Sequence, residues 1–270
     1  MLGSAEEFGR ALRILLVEND EVSRVLVTHL LEKRGHLVVV AGDGVEALET
    51  VGHANPHGFD LVLMDLEIPR MNGREAAQAI REKERHTGGR LPIIALTAQT
   101  TPGEEEACRA AGMDGYITKP FRASDLFAII QHMAEKPPQG SGVTLTAPGA
   151  RKEALPATAF DKTRFLAHLE GDDDLATEIV GMFLTECPKL MDGVCQAAAG
   201  GDPRALERAA HSLKGSVGDM AAPEAFEAAR SLEQMAREGT LEGVGPALAN
   251  LEGAIDRLLP ELQRFQPGAG

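Results

Sequence analysis

Hydrophobic and polar positions follow two different patterns along the chain. Between Arg13 and Met133, short apolar runs alternate with longer amphipathic stretches. Short apolar runs bounded by turn residues are typical of strands that are buried on both faces of a parallel sheet. The pattern predicts five βα units in a doubly wound five-stranded parallel α/β sheet with helices on both faces. The predicted strands are Ile14–Val17, Leu37–Ala41, Leu61–Met64, Ile93–Leu96 and Gly115–Thr118, and the predicted helices lie near 21–34, 44–53, 74–86, 103–111 and 122–133.

From Phe160 to Phe265 the apolar positions recur only at helical spacing. Asp202 is suited to cap a helix that Pro203 opens, because proline is favoured at the first helical position. The pattern predicts an all-α antiparallel four-helix bundle with short loops and with bends at Pro188 and Pro260. The clearest apolar stripe consists of Leu206, Ala210, Leu213, Val217 and Met220.

The stretch between the two patterns differs in composition. From Lys136 to Thr158 it is rich in proline, glycine, alanine and threonine, and it has few large apolar side chains. Such a segment cannot bury enough surface to offset the entropy lost on ordering, so we predict a flexible tether. The predicted organisation is an N-terminal lead-in at 1–12, an α/β domain at 13–134, a flexible linker at 135–158 and a helical domain at 159–266.

Composition narrows the classes of function. The 270 residues are 43% hydrophobic and 25% charged, as in a globular protein. No apolar run approaches the ~20 residues of a membrane span, and the N-terminus lacks the apolar core of a signal peptide. The net charge of -14 argues against non-specific nucleic-acid binding. The cysteines lack metal-ligand spacing, so we expect reduced thiols in a cytoplasmic protein that binds neither nucleic acid nor membrane directly.

The ends of the predicted strands carry the candidate chemistry. Open α/β sheets place their ligands at the carboxyl ends of their strands, so side chains that follow the strands should meet at one edge. Carboxylate and amide oxygens suit Mg²⁺, while a hydroxyl and an ammonium can hold phosphoryl oxygens. Phosphoryl transfer needs mainly positioning and neutralisation of charge, so this edge is a predicted phosphoryl-transfer site. Its members are Glu18 and Asn19 after the first strand, Asp65 after the third, Thr97 after the fourth and Lys119 after the fifth.

Asp65 also has a simpler interpretation as the cap of the next helix. Pro69 and Gly73 force a turn before that helix begins. Asn72 or Met71 is better placed to cap it, which favours a functional role for Asp65.

A second candidate site lies in the helical domain, where residues 211–218 read His-Ser-Leu-Lys-Gly-Ser-Val-Gly. At ~100° per residue, His211 lies roughly 140° from the apolar stripe. Glycines inside a helix cost about 1 kcal/mol each relative to alanine, and Gly215 and Gly218 lie one and two turns from His211. We expect an exposed imidazole on a flat docking surface, with Lys214 placed to attract a phosphate. The simpler alternative is a surface histidine beside tolerated glycines.

The α/β segment resembles the receiver domain of two-component response regulators over about residues 13–133, which implies a flavodoxin-like fold. The matching motifs are Ile14-Leu15-Leu16-Val17-Glu18-Asn19, Leu63-Met64-Asp65 with Pro69 and Gly73, Leu96-Thr97-Ala98, and Gly115-Tyr116-Ile117-Thr118-Lys119-Pro120.

This resemblance implies a role for each matching residue. Asp65 would be the phosphoacceptor that attacks a phosphohistidine, and Thr97 and Lys119 would bind the phosphoryl oxygens. Tyr116 would be the aromatic residue whose rotamer reports phosphorylation. The implied Mg²⁺ ligands are Glu18, Asn19, Asp65 and the backbone carbonyl of Glu67.

One position departs from the receiver pattern. The family usually has two acidic residues where this chain has Glu18 and Asn19. An amide oxygen can ligate the ion but contributes no charge, so we predict weaker Mg²⁺ affinity. Asp20 is an alternative source of the missing charge, although a shift of one residue near a strand normally reverses the direction of the side chain.

The run His-x-Leu-Lys-Gly resembles the histidine phosphotransfer (HPt) domain, over about residues 160–265. This resemblance implies that His211 carries the phosphoryl group as a phosphoramidate without autokinase chemistry, and that Lys214, Gly215 and Gly218 assist the docking of a receiver. Together, the two resemblances imply a phosphorelay protein similar to the C-terminal part of hybrid sensor histidine kinases. Its partners would be an upstream sensor histidine kinase, which phosphorylates Asp65, and a downstream response regulator, whose aspartate accepts the group from His211.

Asn19 motivates an alternative function. In this second hypothesis the receiver is largely unphosphorylated and serves as a docking or regulatory module that controls access to the HPt histidine. A kinase is disfavoured because the sequence has no glycine-rich nucleotide loop and no room for a nucleotide-binding domain. A transcription factor is disfavoured because there is no basic helix-turn-helix pattern.

Overall fold

The computed structural model of the chain describes residues 10–53, 58–97, 102–135 and 158–265. The chain divides into two compact units, Met1–Ala150 and Arg151–Gly270. This division falls inside the segment predicted as a linker. Most of that linker and most of the predicted lead-in lie outside the described residues, so the domain boundaries and the flexible tether stay predictions.

The first unit contains a five-stranded parallel sheet of order β2-β1-β3-β4-β5. The order reverses between β1 and β3, and this switch point is where doubly wound sheets open a crevice at their carboxyl edge. The strands are β1 (Arg13–Val17), β2 (Leu37–Ala41), β3 (Leu61–Asp65), β4 (Ile93–Thr97) and β5 (Gly115–Thr118), and the helices are α1 (Glu21–Lys33), α2 (Gly44–His53), α3 (Gly73–Thr87), α4 (Pro102–Ala110) and α5 (Ala123–Glu135).

Helices cover both faces of the sheet. On one face, Val17, Met64 and Ala95 pack into a core together with residues of α2, α3 and α4. On the other face, the guanidinium of Arg34, which follows α1, lies 4.0 Å from the ring centre of Phe127 in α5. The central strands β3 and β4 are therefore buried along their whole length, as an apolar run such as Leu61–Met64 requires.

The predicted strands and helices of this unit are confirmed, with bounds that differ by one or two residues. β3 and β4 each continue one residue further than predicted, because the ladder pairs Asp65 with Leu96 and Thr97 with Thr118. Both polar residues are therefore held by the strands themselves rather than by flexible loops, which fixes them at the carboxyl edge.

The second unit is helical. Its helices are α6 (Lys162–His168), which was not predicted, α7 (Asp173–Gly200), α8 (Pro203–Asp219), α9 (Pro223–Arg237) and α10 (Val244–Gln263). The four long helices are joined by short connections. They pack in the order α7–α8–α9–α10, and α10 also contacts α7, which gives the predicted antiparallel four-helix bundle.

The predicted apolar stripe of α8 is fully buried. α7 continues past Pro188 and α10 continues past Pro260, so the predicted bends interrupt neither helix.

Caps explain where the bundle helices begin. Asp202 accepts a hydrogen bond from the backbone N–H of Arg204, and Pro203 occupies the first turn, as predicted. Gly201 ends α7 in the left-handed conformation (φ 65°), which favours glycine.

Within the described part of the chain, no helix has both the length and the apolar character needed to cross a bilayer.

Candidate phosphoryl-transfer sites

Three of the five polar side chains predicted to meet at the carboxyl edge of the sheet, those of Glu18, Asp65 and Lys119, are in contact. Lys119, which follows β5, donates from Nζ to Glu18 Oε2 at 2.5 Å and to Asp65 Oδ2 at 2.6 Å. Glu18 follows β1, and Asp65 is the last residue of β3. Both carboxylates are buried, with exposed fractions of 0% and 5%, respectively. The cluster therefore places two carboxyl groups and one ammonium in a crevice largely shielded from water.

The loop after Asp65 is held close to the end of its strand. The N–H of Glu67 donates to Asp65 Oδ1 at 2.9 Å, and the N–H of Gly73 donates to the carbonyl of Leu66 at 3.1 Å. A Cβ on Gly73 would lie 2.2 Å from the carbonyl oxygen of Asp65, so only glycine fits there. Asn72 caps α3 in a reciprocal capping box, which settles the choice left open between Asn72 and Met71.

The electrostatics of the cluster favour an additional cation. Burial raises the pKa of Glu18 to about 8; Lys119 opposes this increase, and the nearby Asp65 adds to it. The ammonium of Lys119 therefore offsets only part of the effect of burial on Glu18. A hard divalent cation with oxygen ligands would supply the missing charge, so the residues present fit Mg²⁺.

The neighbours of Glu18 differ in what they contribute. Asn19 is half-buried directly beside it in the sequence. Asp20 caps α1 by accepting the N–H of Ser23 at 2.8 Å, and its own N–H donates to Glu18 Oε1 at 2.9 Å. The carboxylate of Asp20 is therefore committed to the start of a helix, which weakens the hypothesis that it replaces an acidic residue at position 19.

Thr97 and Tyr116 lie near the cluster on strands β4 and β5. Thr97 is 5% exposed and accepts the N–H of Lys119 at its carbonyl at 2.6 Å. Tyr116 is half-buried against the core face of the sheet, and its hydroxyl donates to Glu105 Oε2 of α4 at 3.3 Å. The predicted switch residue is thus linked to α4. Its role as a reporter of phosphorylation stays a prediction.

A second cluster, in the bundle, is centred on His211 of α8. Nδ1 of His211 lies 2.7 Å from Oε1 of Glu233, a residue of α9. The other carboxylate oxygen, Oε2, accepts a hydrogen bond from Lys214 Nζ at 2.5 Å. Glu233 and Lys214 are almost completely buried, at 3% and 2% exposed. A buried carboxylate therefore bridges the imidazole and an ammonium one turn further along α8.

The protonation of this cluster follows from its geometry. Burial alone would raise the pKa of Glu233. Hydrogen bonds and charges from His211 and Lys214 instead lower this pKa to about 2. Nδ1 of His211 lies 2.7 Å from Glu233 Oε1 and 3.4 Å from Lys214 Nζ. Because the carboxylate oxygen is closer, the proton on Nδ1 is donated to Glu233. With Nδ1 protonated, a neutral imidazole carries its lone pair on Nε2. Nε2 is therefore the ring nitrogen that could act as a nucleophile.

The predicted exposed imidazole is wrong. His211 is only 9% exposed, and its Nδ1 contacts Glu233 of α9. Lys214 is also not a surface cation, since its ammonium pairs with Glu233. Gly218 is buried, whereas a Cβ on the half-buried Gly215 would meet nothing within 4 Å. Contacts of these three residues with a receiver stay a prediction, for which Gly215 has the open space.

Sequence reasoning missed Glu233, although a signal was present. Ala229, Leu232 and Ala236 lie on one apolar face of α9, and Glu233 occupies a position at the same helical spacing. Buried glutamates are rare unless they are paired. An acidic residue inside an apolar stripe therefore indicates a buried partner, but the sequence does not say that this partner is on α8.

Comparison with known proteins identifies both domains. Residues 14–131 match the family model of the response regulator receiver domain, and residues 178–263 match that of the Hpt domain. Sensor histidine kinase GacS of Pseudomonas protegens is 31% identical over 260 residues, covering 93% of this chain and 27% of the relative. Signal transduction histidine-protein kinase BarA of Escherichia coli is 27% identical and covers 98% of this chain and 28% of the relative.

One solved structure is similar to the first unit. It is the receiver domain of a sensor histidine kinase from Pseudomonas aeruginosa, solved with magnesium in the active-site cleft, with 34% identity and a TM-score of 0.42 over 47% of this chain and 100% of that one.

The chain belongs to the two-component signalling proteins and joins a response regulator receiver domain to an Hpt domain. It spans about a quarter of the length of the hybrid kinases it matches. The matched families are a phosphoacceptor domain and a phosphotransfer domain, and neither is an ATP-binding kinase domain.

Proposed function

We propose that the chain is a phosphorelay intermediate in which Asp65 and His211 carry the same phosphoryl group in turn. The observation that carries this proposal is that each residue has the partners its chemistry requires within its own domain. Asp65 lies beside the ammonium of Lys119, and His211 has its Nδ1 proton directed to Glu233. The receiver is phosphorylated by a sensor histidine kinase, and the HPt domain passes the group to a downstream response regulator.

The chemistry at the receiver is a nucleophilic substitution at phosphorus. A carboxylate oxygen of Asp65 attacks the phosphorus of a phosphohistidine, the P–N bond breaks, and the imidazole of the donor leaves with the electron pair. Lys119 neutralises charge that builds up on the phosphoryl oxygens, and Thr97 is placed on the adjacent strand end to donate a hydrogen bond to them. The crevice limits the access of water, which would hydrolyse the acyl phosphate.

Glu18, Asn19, Asp65 and the carbonyl of Glu67 would hold Mg²⁺ in this domain. The ion would supply positive charge beside the phosphoryl oxygens. The shortage of positive charge around Glu18 supports this assignment.

The chemistry at the HPt domain is the reverse exchange of bonds. Nε2 of His211 attacks the phosphorus of the acyl phosphate, and the P–O bond to the carboxylate of Asp65 breaks. The phosphorylated ring carries a positive charge, with its Nδ1 proton facing the carboxylate of Glu233. A carboxylate in this position orients the ring and stabilises the charge, as in other imidazole-based catalysts.

Transfer of a labelled phosphoryl group tests the proposal. A phosphorylated sensor kinase is incubated with wild type, with Asp65→Asn and with His211→Gln. Wild type should be labelled on both residues, Asp65→Asn on neither, and His211→Gln on Asp65 alone. Label on His211 but not on Asp65 of wild type would favour the alternative, in which the receiver is a docking or regulatory module. Absence of label from wild type with every kinase related to the hybrid family would contradict the relay.

Asn19→Asp should increase the affinity of the receiver for Mg²⁺. The added carboxylate raises the negative charge of the ligand set, which attracts a divalent cation more strongly than an amide does. We expect the Mg²⁺ concentration for half-maximal phosphorylation of Asp65 to fall about tenfold, which corresponds to about 1.4 kcal/mol. Asn19→Gln, which adds no charge, is the matched control, and equal Mg²⁺ dependence of wild type and Asn19→Asp would contradict the prediction.

Gly215→Ala should separate docking from stability. The added methyl group meets no atom within 4 Å, and alanine is favoured over glycine in a helix by about 1 kcal/mol. The melting temperature should therefore stay equal or rise, while transfer from a phosphorylated receiver to His211 slows because the methyl group stands where the receiver docks. Gly193→Ala on α7, which also has open space, is the control and should leave transfer unchanged. If Gly215→Ala accepted the phosphoryl group as fast as wild type, the assignment of Gly215 to the docking surface would be wrong.

A further inference from the structure

An outer pair of charges stands beside the His211 cluster. Glu207 lies one turn before His211 on α8, and Arg237 lies one turn after Glu233 on α9. Nε of Arg237 donates to Glu207 Oε1 at 2.8 Å, and a terminal nitrogen of the same guanidinium donates to Glu233 Oε1 at 3.2 Å. Both outer side chains are about one-third exposed, with values of 30% and 32%. Arg237 therefore connects a partly solvated carboxylate to the buried one.

The two oxygens of Glu233 have different partners. Oε2 accepts from Lys214, whereas Oε1 accepts from both Nδ1 of His211 and Arg237. When two donors share one oxygen, each hydrogen bond is weaker than it would be alone, because the first donor withdraws charge from the acceptor. The imidazole thus competes with a guanidinium for the same atom.

We propose that Arg237 and Glu207 are positioning residues that set how strongly Glu233 supports the imidazole, and that they thereby set the division of the phosphoryl group between Asp65 and His211. This inference rests on the proposed function. Arg237 acts by drawing charge from Glu233 Oε1, and Glu207 acts by holding Arg237 partly away from it.

The direction of each effect follows from the charge of the phosphorylated ring. Bond formation at Nε2 makes the ring cationic while Nδ1 keeps its proton, so the Nδ1–H hydrogen bond to Glu233 strengthens on phosphorylation. A carboxylate with more available charge stabilises phospho-His211 more than it stabilises the unphosphorylated neutral ring. Removal of Arg237 should therefore shift the phosphoryl group toward His211. Removal of the Glu207 charge removes a carboxylate that competes with Glu233 for the guanidinium, and it should shift the phosphoryl group toward Asp65.

The equilibrium ratio of phospho-His211 to phospho-Asp65 is the quantity to measure. The full-length chain is phosphorylated with acetyl phosphate and Mg²⁺, and the two forms are separated by chemical lability, since hydroxylamine cleaves the acyl phosphate and acid cleaves the phosphoramidate. Arg237→Gln should raise the ratio about threefold, and Glu207→Gln should lower it about threefold, since partly exposed charges act through an effectively high dielectric. Arg237→Lys should return the ratio toward that of wild type.

The double variant distinguishes this inference from a structural role. Because Glu207 acts only through Arg237, the ratio in Arg237→Gln/Glu207→Gln should equal that in Arg237→Gln. The ¹⁵N chemical shifts of the His211 ring provide a second readout, with a stronger Nδ1–H hydrogen bond in Arg237→Gln. Arg230→Gln, which breaks the exposed pair with Glu227 on the same helix, is the control and should change neither quantity.

Each outcome has a distinct meaning. Opposite shifts in the two single variants support the inference. Shifts of the same sign, or none, overturn it, because loss of stability alone would affect both variants alike. A wild-type chain that accepts label on Asp65 but never on His211 would instead contradict the proposed function.

Discussion

Exchange of Glu233 for glutamine is expected to slow phosphoryl transfer to His211 about a hundredfold. The amide is the same size as the carboxylate but carries no charge, so it neither holds the Nδ1 proton as firmly nor stabilises the cationic phosphorylated ring. Positioned acid–base partners contribute roughly a hundredfold or more to such steps. The rate is measured by mixing a phosphorylated receiver with the chain and following the appearance of phospho-His211 by rapid quench.

The same exchange should destabilise the bundle. Lys214 is 2% exposed and would be left without a negative partner, and an unpaired buried charge costs about 3 to 5 kcal/mol. Glu227→Gln is the matched control, because Glu227 lies on the same helix, is 46% exposed and pairs with the exposed Arg230. Its loss should cost less than about 1 kcal/mol. Similar unfolding midpoints in urea for the two variants would contradict the importance of the Glu233 network.

The pH dependence of stability provides a further check on Glu233. Its pKa in the folded protein is about 2, below the ordinary value of 4.5. The ionised carboxylate therefore stabilises the folded state fully above about pH 4.5, and this contribution is lost as the pH falls toward 2. A shift of this size is worth roughly 3 kcal/mol. The difference in unfolding free energy between wild type and Glu233→Gln should shrink over this range, whereas a difference independent of pH would contradict the assignment.

Gly73→Ala is expected to have the largest effect on the receiver. The new Cβ would lie 2.2 Å from the carbonyl oxygen of Asp65 and 3.0 Å from Cα of Leu66. These are backbone atoms of a buried strand end, so the chain must move where the phosphoacceptor is held. We expect a loss of at least about 3 kcal/mol in unfolding free energy and a strong reduction in phosphorylation of Asp65, measured by urea unfolding and by labelling with acetyl phosphate.

The control for Gly73→Ala is Gly103→Ala. Gly103 lies in α4 of the same domain, and a Cβ there would meet nothing within 4 Å. Alanine should stabilise that helix by up to about 1 kcal/mol and leave labelling unchanged. If Gly73→Ala behaved like Gly103→Ala, the close packing of α3 on β3 would not be what requires glycine at position 73.

Part of the receiver site could be predicted from the sequence because it is built from strand ends. In a parallel sheet, the carboxyl ends of all strands lie at the same edge. The positions of Glu18, Asp65 and Lys119 in the sequence were therefore enough to predict that they lie together. The partners of Asp20 and Tyr116 could not be placed in this way. Their contacts depend on a helix cap and on the position of α4, neither of which is set by the order of the strands.

The histidine site was predicted less completely. The helical pattern identified α8, its buried stripe and His211, because the spacing of apolar residues is a local property of the chain. It also led to the wrong expectation of an exposed imidazole, since a helical wheel describes one helix and ignores its neighbours. Glu233 and Arg237 come from α9, and their contact with α8 depends on the packing of the two helices.

The sequence by itself therefore determined the two domain types, the order of the elements other than α6, and Asp65, Lys119 and His211 as candidate site residues. Hydrophobic periodicity and strand-end position are sufficient for these, because both are read along the chain. The tertiary structure alone decided that Glu233 holds Nδ1 of His211, that Lys214 is a buried partner rather than a surface cation, and that Gly73 has no room for a methyl group. These features depend on distances between elements far apart in the sequence, which close packing fixes to within less than the width of one atom.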